Sequence, residues 1–343
     1  MKTRGTVVTI SSGNGIAAFG TVRPILLLAP SGRDSGNSGA GSILGSEFVA
    51  MGTGIRMAGS ELHVAAEQGS ADVVLALARR ATDVDAEFGG RSALWQAVHA
   101  GRLANARALV EAGANPWRPM MAGWSPGRLA LASGTPDLFG PPPSGQALSS
   151  AEAATVQEAK RLKVAVSEPE YDGMSICCVS AVDAAEALRR LDASVIELDE
   201  AEVVRLAEDG DSAGAELILG ITDVPGGCVV AQPWAYGASM PVVSGRLSKG
   251  TVSYAMYDNP KSGQQGSSFR DGVTVGWDLS TGNGWSEPTD SAEDILLTYL
   301  YQDRPFTYCY AYAGVKPLDD RPLTGVPDCW VRLPDGDYWG QSD

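Results

Sequence analysis

The rarest reactive side chains in this 343-residue chain are two histidines, His63 and His99. Both lie in the N-terminal half. Residues 140–343 therefore lack a histidine for a Ser-His or Cys-His pair, or for a histidine-ligated metal site. The five cysteines, Cys177, Cys178, Cys228, Cys309 and Cys329, are odd in number and lack metal-ligand spacing. They fit a reducing compartment better than a disulfide framework. On a strand, adjacent Cys177 and Cys178 would point to opposite faces. Asp271, Asp278, Glu287 and Asp294 could supply an acid–base pair, although spacing alone does not bring them together. There is no Gly-x-x-x-x-Gly-Lys-Ser/Thr loop for a nucleotide phosphate. Gly13-x-Gly15-x-x-Ala18, behind Val7-Val8-Thr9-Ile10 and ahead of Asp34, has the spacing of a dinucleotide-binding turn. Gly20 and Pro24 break the helix that such a turn must open, so the motif fails its context. No catalytic residue is assigned, and no cofactor or metal is expected.

Aromatic residues offer a second kind of site. Phe306, Tyr308, Tyr310 and Tyr312 alternate with smaller residues, which predicts a strand with four rings on one face. Packed, the rings would be a sheet face. Exposed, Tyr308 and Tyr310 would form a ligand platform. Trp234 and Tyr236, just past a predicted strand, are either core plugs or a pocket rim.

The elements that would position these groups begin with a repeat. Ser60-Glu61-Leu62-His63-Val64-Ala65-Ala66 aligns with Ser92-Ala93-Leu94-Trp95-Gln96-Ala97-Val98 at an offset of 32. Ser125-Pro126-Gly127-Arg128-Leu129-Ala130-Leu131 follows at an offset of 33. Each serine can cap a helix, and Gly69, Gly101 and Gly134 can end one. The second block continues into Leu109-Val110-Glu111-Ala112-Gly113-Ala114-Asn115. These residues resemble the ankyrin family's T-P-L-H-x-A signature and its L-L-x-x-G-A-x-x-N ending. The third repeat is degenerate, with Gly127 in place of Leu. The resemblance implies an all-α ankyrin-repeat solenoid over 58–139, with His63 tying turns together. It also implies partner binding through the turn tips and the open side of the first helices. Those positions are Glu87, Phe88, Arg91, Trp95, His99, Trp117, Arg118, Met120 and Met121.

Residues 1–57 read as a Gly/Ser-rich disordered leader, or as sequence upstream of a start at Met51 or Met57. Residues 140–150 form a Pro/Gly linker stiffened at Pro141-Pro142-Pro143. Ser149-x-x-Glu152 is a capping box opening a helix to about Lys163. Residues 151–343 then alternate short helices with β-rich runs. Strands are expected over 174–180, 227–232, 251–257 and 271–279, with a loop over 258–268. The last of these strands places Val273, Val275, Trp277 and Leu279 on one face. Asp183, Asp199, Ser239 and Ser291 are expected helix caps. The pattern implies an α+β domain with a mostly antiparallel sheet. The order from Cys178-Val179-Ser180 through Gln232-Pro233-Trp234 to Leu247-Ser248-Lys249-Gly250 resembles an uncharacterised actinobacterial domain. That pattern usually has an acid where Gln232 stands.

The net charge of −15 argues against nucleic acid. From Asp192 to Asp223 ten acidic residues accompany a single base, Arg205, a solvated face or a dock for a basic partner. No apolar run reaches the ~20 residues of a membrane span. The expectation is a cytoplasmic, bacterial protein–protein interaction module, an adaptor or an immunity- or antitoxin-type neutraliser. The alternative is an enzyme or small-molecule binder with a carboxylate or aromatic site in the C-terminal domain.

Overall fold

Serine caps and glycine turns shape the N-terminal helices. The computed structural model describes residues 60–169, 173–208, 214–259, 261–282 and 284–340. The leader and the glycine motif within it lie outside the described residues. Helices α1 (Glu61–Gln68) and α2 (Ala71–Ala78) precede a short hairpin of β1 (Glu87–Phe88) and β2 (Arg91–Ser92). The hairpin turns at Gly89 and Gly90, both at positive φ (56° and 76°), which glycine adopts without steric cost. Then come α3 (Ala93–His99), α4 (Leu103–Glu111), α5 (Pro126–Ala132) and α6 (Ser150–Ala165). Ser92 and Ser125 accept from Trp95 N and Arg128 N, so both cap as expected. Ser60 does not; its hydroxyl is spent on His63 Nδ1 at 2.6 Å. The Ser149–Glu152 capping box is complete.

The remainder builds one eight-stranded sheet in the order β4-β10-β5-β6-β3-β7-β8-β9, every pairing antiparallel. Its strands are β3 (Ser175–Ser180), β4 (Ser194–Ile196), β5 (Ile218–Val224), β6 (Gly227–Gln232), β7 (Val252–Asn259), β8 (Gly263–Arg270), β9 (Val273–Asp278) and β10 (Cys329–Arg332). The helices are α7 (Ala184–Leu191), α8 (Glu200–Glu208), α9 (Pro241–Leu247), α10 (Ala292–Leu300), α11 (Pro305–Ala313) and α12 (Arg321–Thr324). Cys177 and Cys178 are both fully buried and do face opposite sides. Cys177 packs with Val230, Ala255 and the α7 and α9 side chains, Cys178 with Tyr254 and α11. The α+β expectation with an antiparallel sheet holds for this part of the chain.

The expected ankyrin solenoid is not what the helices form. The third unit contributes α5 alone, since Pro136 and the triple proline prevent a second helix from following it. α5 packs on α3 and, in place of a second helix of its own unit, on α10 from far along the sequence; α10 also packs on α6. A single buried core joins Leu62, Trp95, Leu109, Leu129, Leu162 and Ile295. A solenoid buries its faces repeat upon repeat. This helical set closes instead on helices from outside the repeats.

Three local expectations also change. Residues 305–313 are a helix, not a strand: Pro305 opens it and Gly314, at φ 71°, closes it. Phe306, Cys309, Tyr310 and Ala313 recur at helical spacing and are buried, so the two-residue alternation of rings was incidental. Residues 263–270 are a strand although Gly-Gln-Gln-Gly-Ser-Ser carries no apolar signal, because β7 supplies its whole ladder. Ser239 sits in a 3₁₀ turn ahead of α9, and Met240 occupies the cap position.

The degenerate third repeat has a physical cause. A Cβ at Gly127 would lie 2.4 Å from Trp117 Cε3, so the indole fills the space a leucine would use. Gly127→Leu is expected to destabilise by about 1–3 kcal/mol through overpacking. Adding Trp117→Ala should recover part of that loss, and the coupling is read from urea unfolding of the double-mutant cycle. Strict additivity would show that the two positions do not compete for space.

Candidate functional site

Arg91, Trp95 and His99 are four residues apart, so α3 and the strand before it place them along one line. That line is the surface expected to meet a partner, and it is buried. Trp285 lies against it. Its ring is stacked with His99 at 4.6 Å, and the Arg91 guanidinium carbon is 4.9 Å from its centroid. Arg91 Nη1 donates to Ser286 O at 3.1 Å, and His99 Nδ1 is 2.8 Å from Gln302 Nε2. Trp124 Nε1 donates to Ala292 O at 2.8 Å. The loop before α10, α10 itself and the turn after it thus occupy the open side of α3 and α5. Met121 is buried beneath Gly90, close to Pro288. Exposure is the expectation only for a helical array that stands alone, and this one is covered by its own chain.

This enclosure sets the electrostatics. Burial, then the Arg91 charge, pushes the His99 pKa down to about 4. Burial also lowers His63, whose Nε2 bonds Arg91 O at 3.0 Å. His63 therefore ties the first helix to the hairpin, the structural role its motif implies.

Less of the turn-tip surface survives than the repeats suggested. Glu87 and Phe88 are exposed, and Arg118 spans Glu87 Oε1 and Asp85 O, each at 3.0 Å. Trp117 and Met120 are half-buried. The aromatic platform is not assembled. Tyr310 is fully buried, while Tyr308 leans on Tyr254 and Tyr312. Trp234 is buried in a separate cluster, stacked on Trp330 and donating to Ala215 O. Tyr236 rests against Tyr257 and Trp339. Of the four carboxylates, three serve separate local contacts. Asp278 holds the Tyr254 hydroxyl and Thr281, Asp271 accepts from Gly250 N, and Asp294 accepts from Ser291. Among the described residues no group of three His, Cys, Asp or Glu could hold a metal ion.

No protein-family model, curated protein or solved structure matches the chain. The two family resemblances therefore gain no support from comparison. Among the described residues no helix is long and apolar enough to cross a membrane.

Among the described residues, β9 carries a run of exposed apolar side chains. The Asp271-Gly272 turn, with φ 51° and 83°, is the two-residue connection that antiparallel strands favour, and it folds β9 onto β8 at the end of the sheet. Val273, Val275, Trp277 and Leu279 are 64%, 54%, 61% and 56% exposed. Trp277 pairs with Ser267, which continues the row from Val230 through Cys177 and Ala255. That row lies under α7 and α9 at its centre, and Trp277 projects beyond their cover. A register shift between Ser268 and Phe269 leaves Val275 outside the paired positions and sets Val273, opposite Arg270, on the other face of the sheet from Trp277, so the single apolar face expected of this strand is broken. The sequence shows the alternation but not that this strand would be outermost.

Proposed function

We propose that this is a protein-binding protein and that its partner adds a strand to the outer edge of β9. The observation that carries the reading is a terminal strand whose Val273, Val275 and Trp277 are all exposed, followed by an exposed Leu279. Edge strands are ordinarily guarded by lysine, proline, a bulge or a covering element, and of these β9 has the register irregularity opposite Ser268 and Phe269. β9 contains neither lysine nor proline and pairs only with β8 among the described residues. Strand addition would supply main-chain hydrogen bonds, while alternate apolar side chains of the partner would meet Val275 and Trp277. The net charge of −15 favours a neutral or basic partner segment. Support for an interaction role from the inner line of α3 is withdrawn, since the chain covers that line itself.

The test is a selection of displayed ten-residue peptides on the full chain, repeated on Val275→Asp/Trp277→Asp. Enriched peptides should alternate apolar and polar residues and bind the variant at least tenfold more weakly. Equal binding to both proteins would remove β9 as the docking edge.

A further inference from the structure

Beyond the cover of α9 the sheet has a stretch of open face, and the pairing registers place its side chains. Trp277 pairs with Ser267, and two residues along the same strand Gln265 pairs with Tyr257. These four residues share the face that carries Ala255 and Cys177. Tyr257 meets Tyr236 at 6.0 Å between ring centroids, and Tyr236 meets Trp339 at 5.3 Å. The result is a continuous shelf with an exposed indole at each end, Trp277 and Trp339, and half-buried groups between them. Trp277 lies two strands and two residues from Tyr257, about 12 Å at ordinary strand spacing and rise. None of the six side chains is an acid or a base. Nearby carboxylates are turned elsewhere. Asp258, on the opposite face, accepts from Gln264 Nε2 at 3.2 Å, and Asp337 accepts from Trp339 N at 2.8 Å. Gln265 Nε2 donates to Ser262 Oγ at 3.0 Å, which fixes the amide and leaves its oxygen to accept.

We infer that this shelf binds a neutral carbohydrate chain, with sugar rings stacked on Trp277 and Trp339 and hydroxyls bonded to Gln265 and Ser267. The main chain beneath a sheet face is already paired, so a ligand lying on that face is held by side chains alone. Indole faces carry a negative quadrupole that attracts the C–H face of a sugar ring, and they offer wide contact at little cost in rotamer freedom. The amide and hydroxyl supply the few polar groups that orient such a ligand. An uncharged lining in a chain of net charge −15 disfavours a polyanion and offers a basic segment no ion pair. This goes beyond the reading of β9 as a docking edge. Strand addition uses the main chain of that edge, and of the shelf residues only Trp277 belongs to both.

Native electrophoresis of the full chain through gels containing hydroxyethyl cellulose, laminarin or soluble starch tests the inference, since the acidic protein migrates freely unless a glucan retards it. At least one of the three is expected to retard it. The dissociation constant read from mobility should rise at least tenfold in Trp277→Ala and in Trp339→Ala, and at least threefold in Gln265→Ala. Free oligosaccharide of the same glucan should restore the mobility, and dextran sulfate should not. Urea midpoints identify any variant that has lost its fold, and the two exposed indoles give independent arms if one does so. Trp339→Ala should leave peptide binding at β9 unchanged, so the two readings fail separately. No retardation by any of the three glucans, retardation unchanged in both Trp variants, or release by dextran sulfate as readily as by the oligosaccharide would each overturn the assignment.

Discussion

Lowering the pH from 7 to 4 should cost the wild-type protein about 3 kcal/mol more stability than it costs His99→Gln. His99 titrates near 6.5 when unfolded and at about 4 when folded. Between those values the unfolded chain binds a proton that the folded chain refuses, so stability falls as pH falls. The loss begins near 6.5 and is complete near 4. Glutamine can keep an acceptor facing Gln302 while removing the titration. The lowered pKa of His63 works in the same direction in both proteins, which is why the difference between them isolates His99. Urea unfolding at the two pH values measures it. Parallel losses in the two proteins would mean that the cover over α3 opens before unfolding and lets His99 titrate normally.

Gln232→Glu is expected to destabilise the protein by about 3 kcal/mol at pH 7, with partial recovery near pH 4. Gln232 is fully buried, and its Nε2 donates to Ala215 O at 2.9 Å and to Ile218 O at 2.7 Å. Its Oε1 accepts from Gly237 N at 2.6 Å. The amide is thus a bracket holding the start of β5 and the turn before α9 to the end of β6. A carboxylate there would set oxygen against two carbonyl oxygens. Its folded pKa would rise, so the penalty exists above the unfolded glutamate pKa and is relieved as the group protonates. Unfolding of the variant at pH 7 and pH 4 checks the sign. A variant as stable as wild type at pH 7 would mean that the bracket carries no weight.

Local signals proved the most legible part of this sequence. Ser149 with Glu152 and Asp199 with Glu202 each announce a helix start through a reciprocal cap, and both caps form. Cys177 and Cys178 read correctly because strand alternation depends only on neighbouring residues. The aromatic run at 306–312 misled because every second ring suggests a strand, whereas Pro305 and Gly314 carried the deciding information. β8 was illegible for the opposite reason. A strand whose ladder is supplied by its neighbours needs little apolar character of its own. Among the residues at the candidate site, Trp285 carries no mark in the sequence. A lone tryptophan between Gly284 and Ser286 in a polar stretch is a signal for a plug, but no local rule says what it plugs.

The contact between Arg91 and Ser286 spans 195 residues, and this has a temporal side. At about 5–20 residues per second, the ribosome delivers the covering segment roughly 10–40 s after the helices it covers. During that interval Trp95, His99 and Trp124 belong to a nascent chain whose apolar face has no lid. A chain released before Gly284 never acquires one. Truncation anywhere before residue 302 therefore leaves that face partly uncovered, however well the helices themselves have formed.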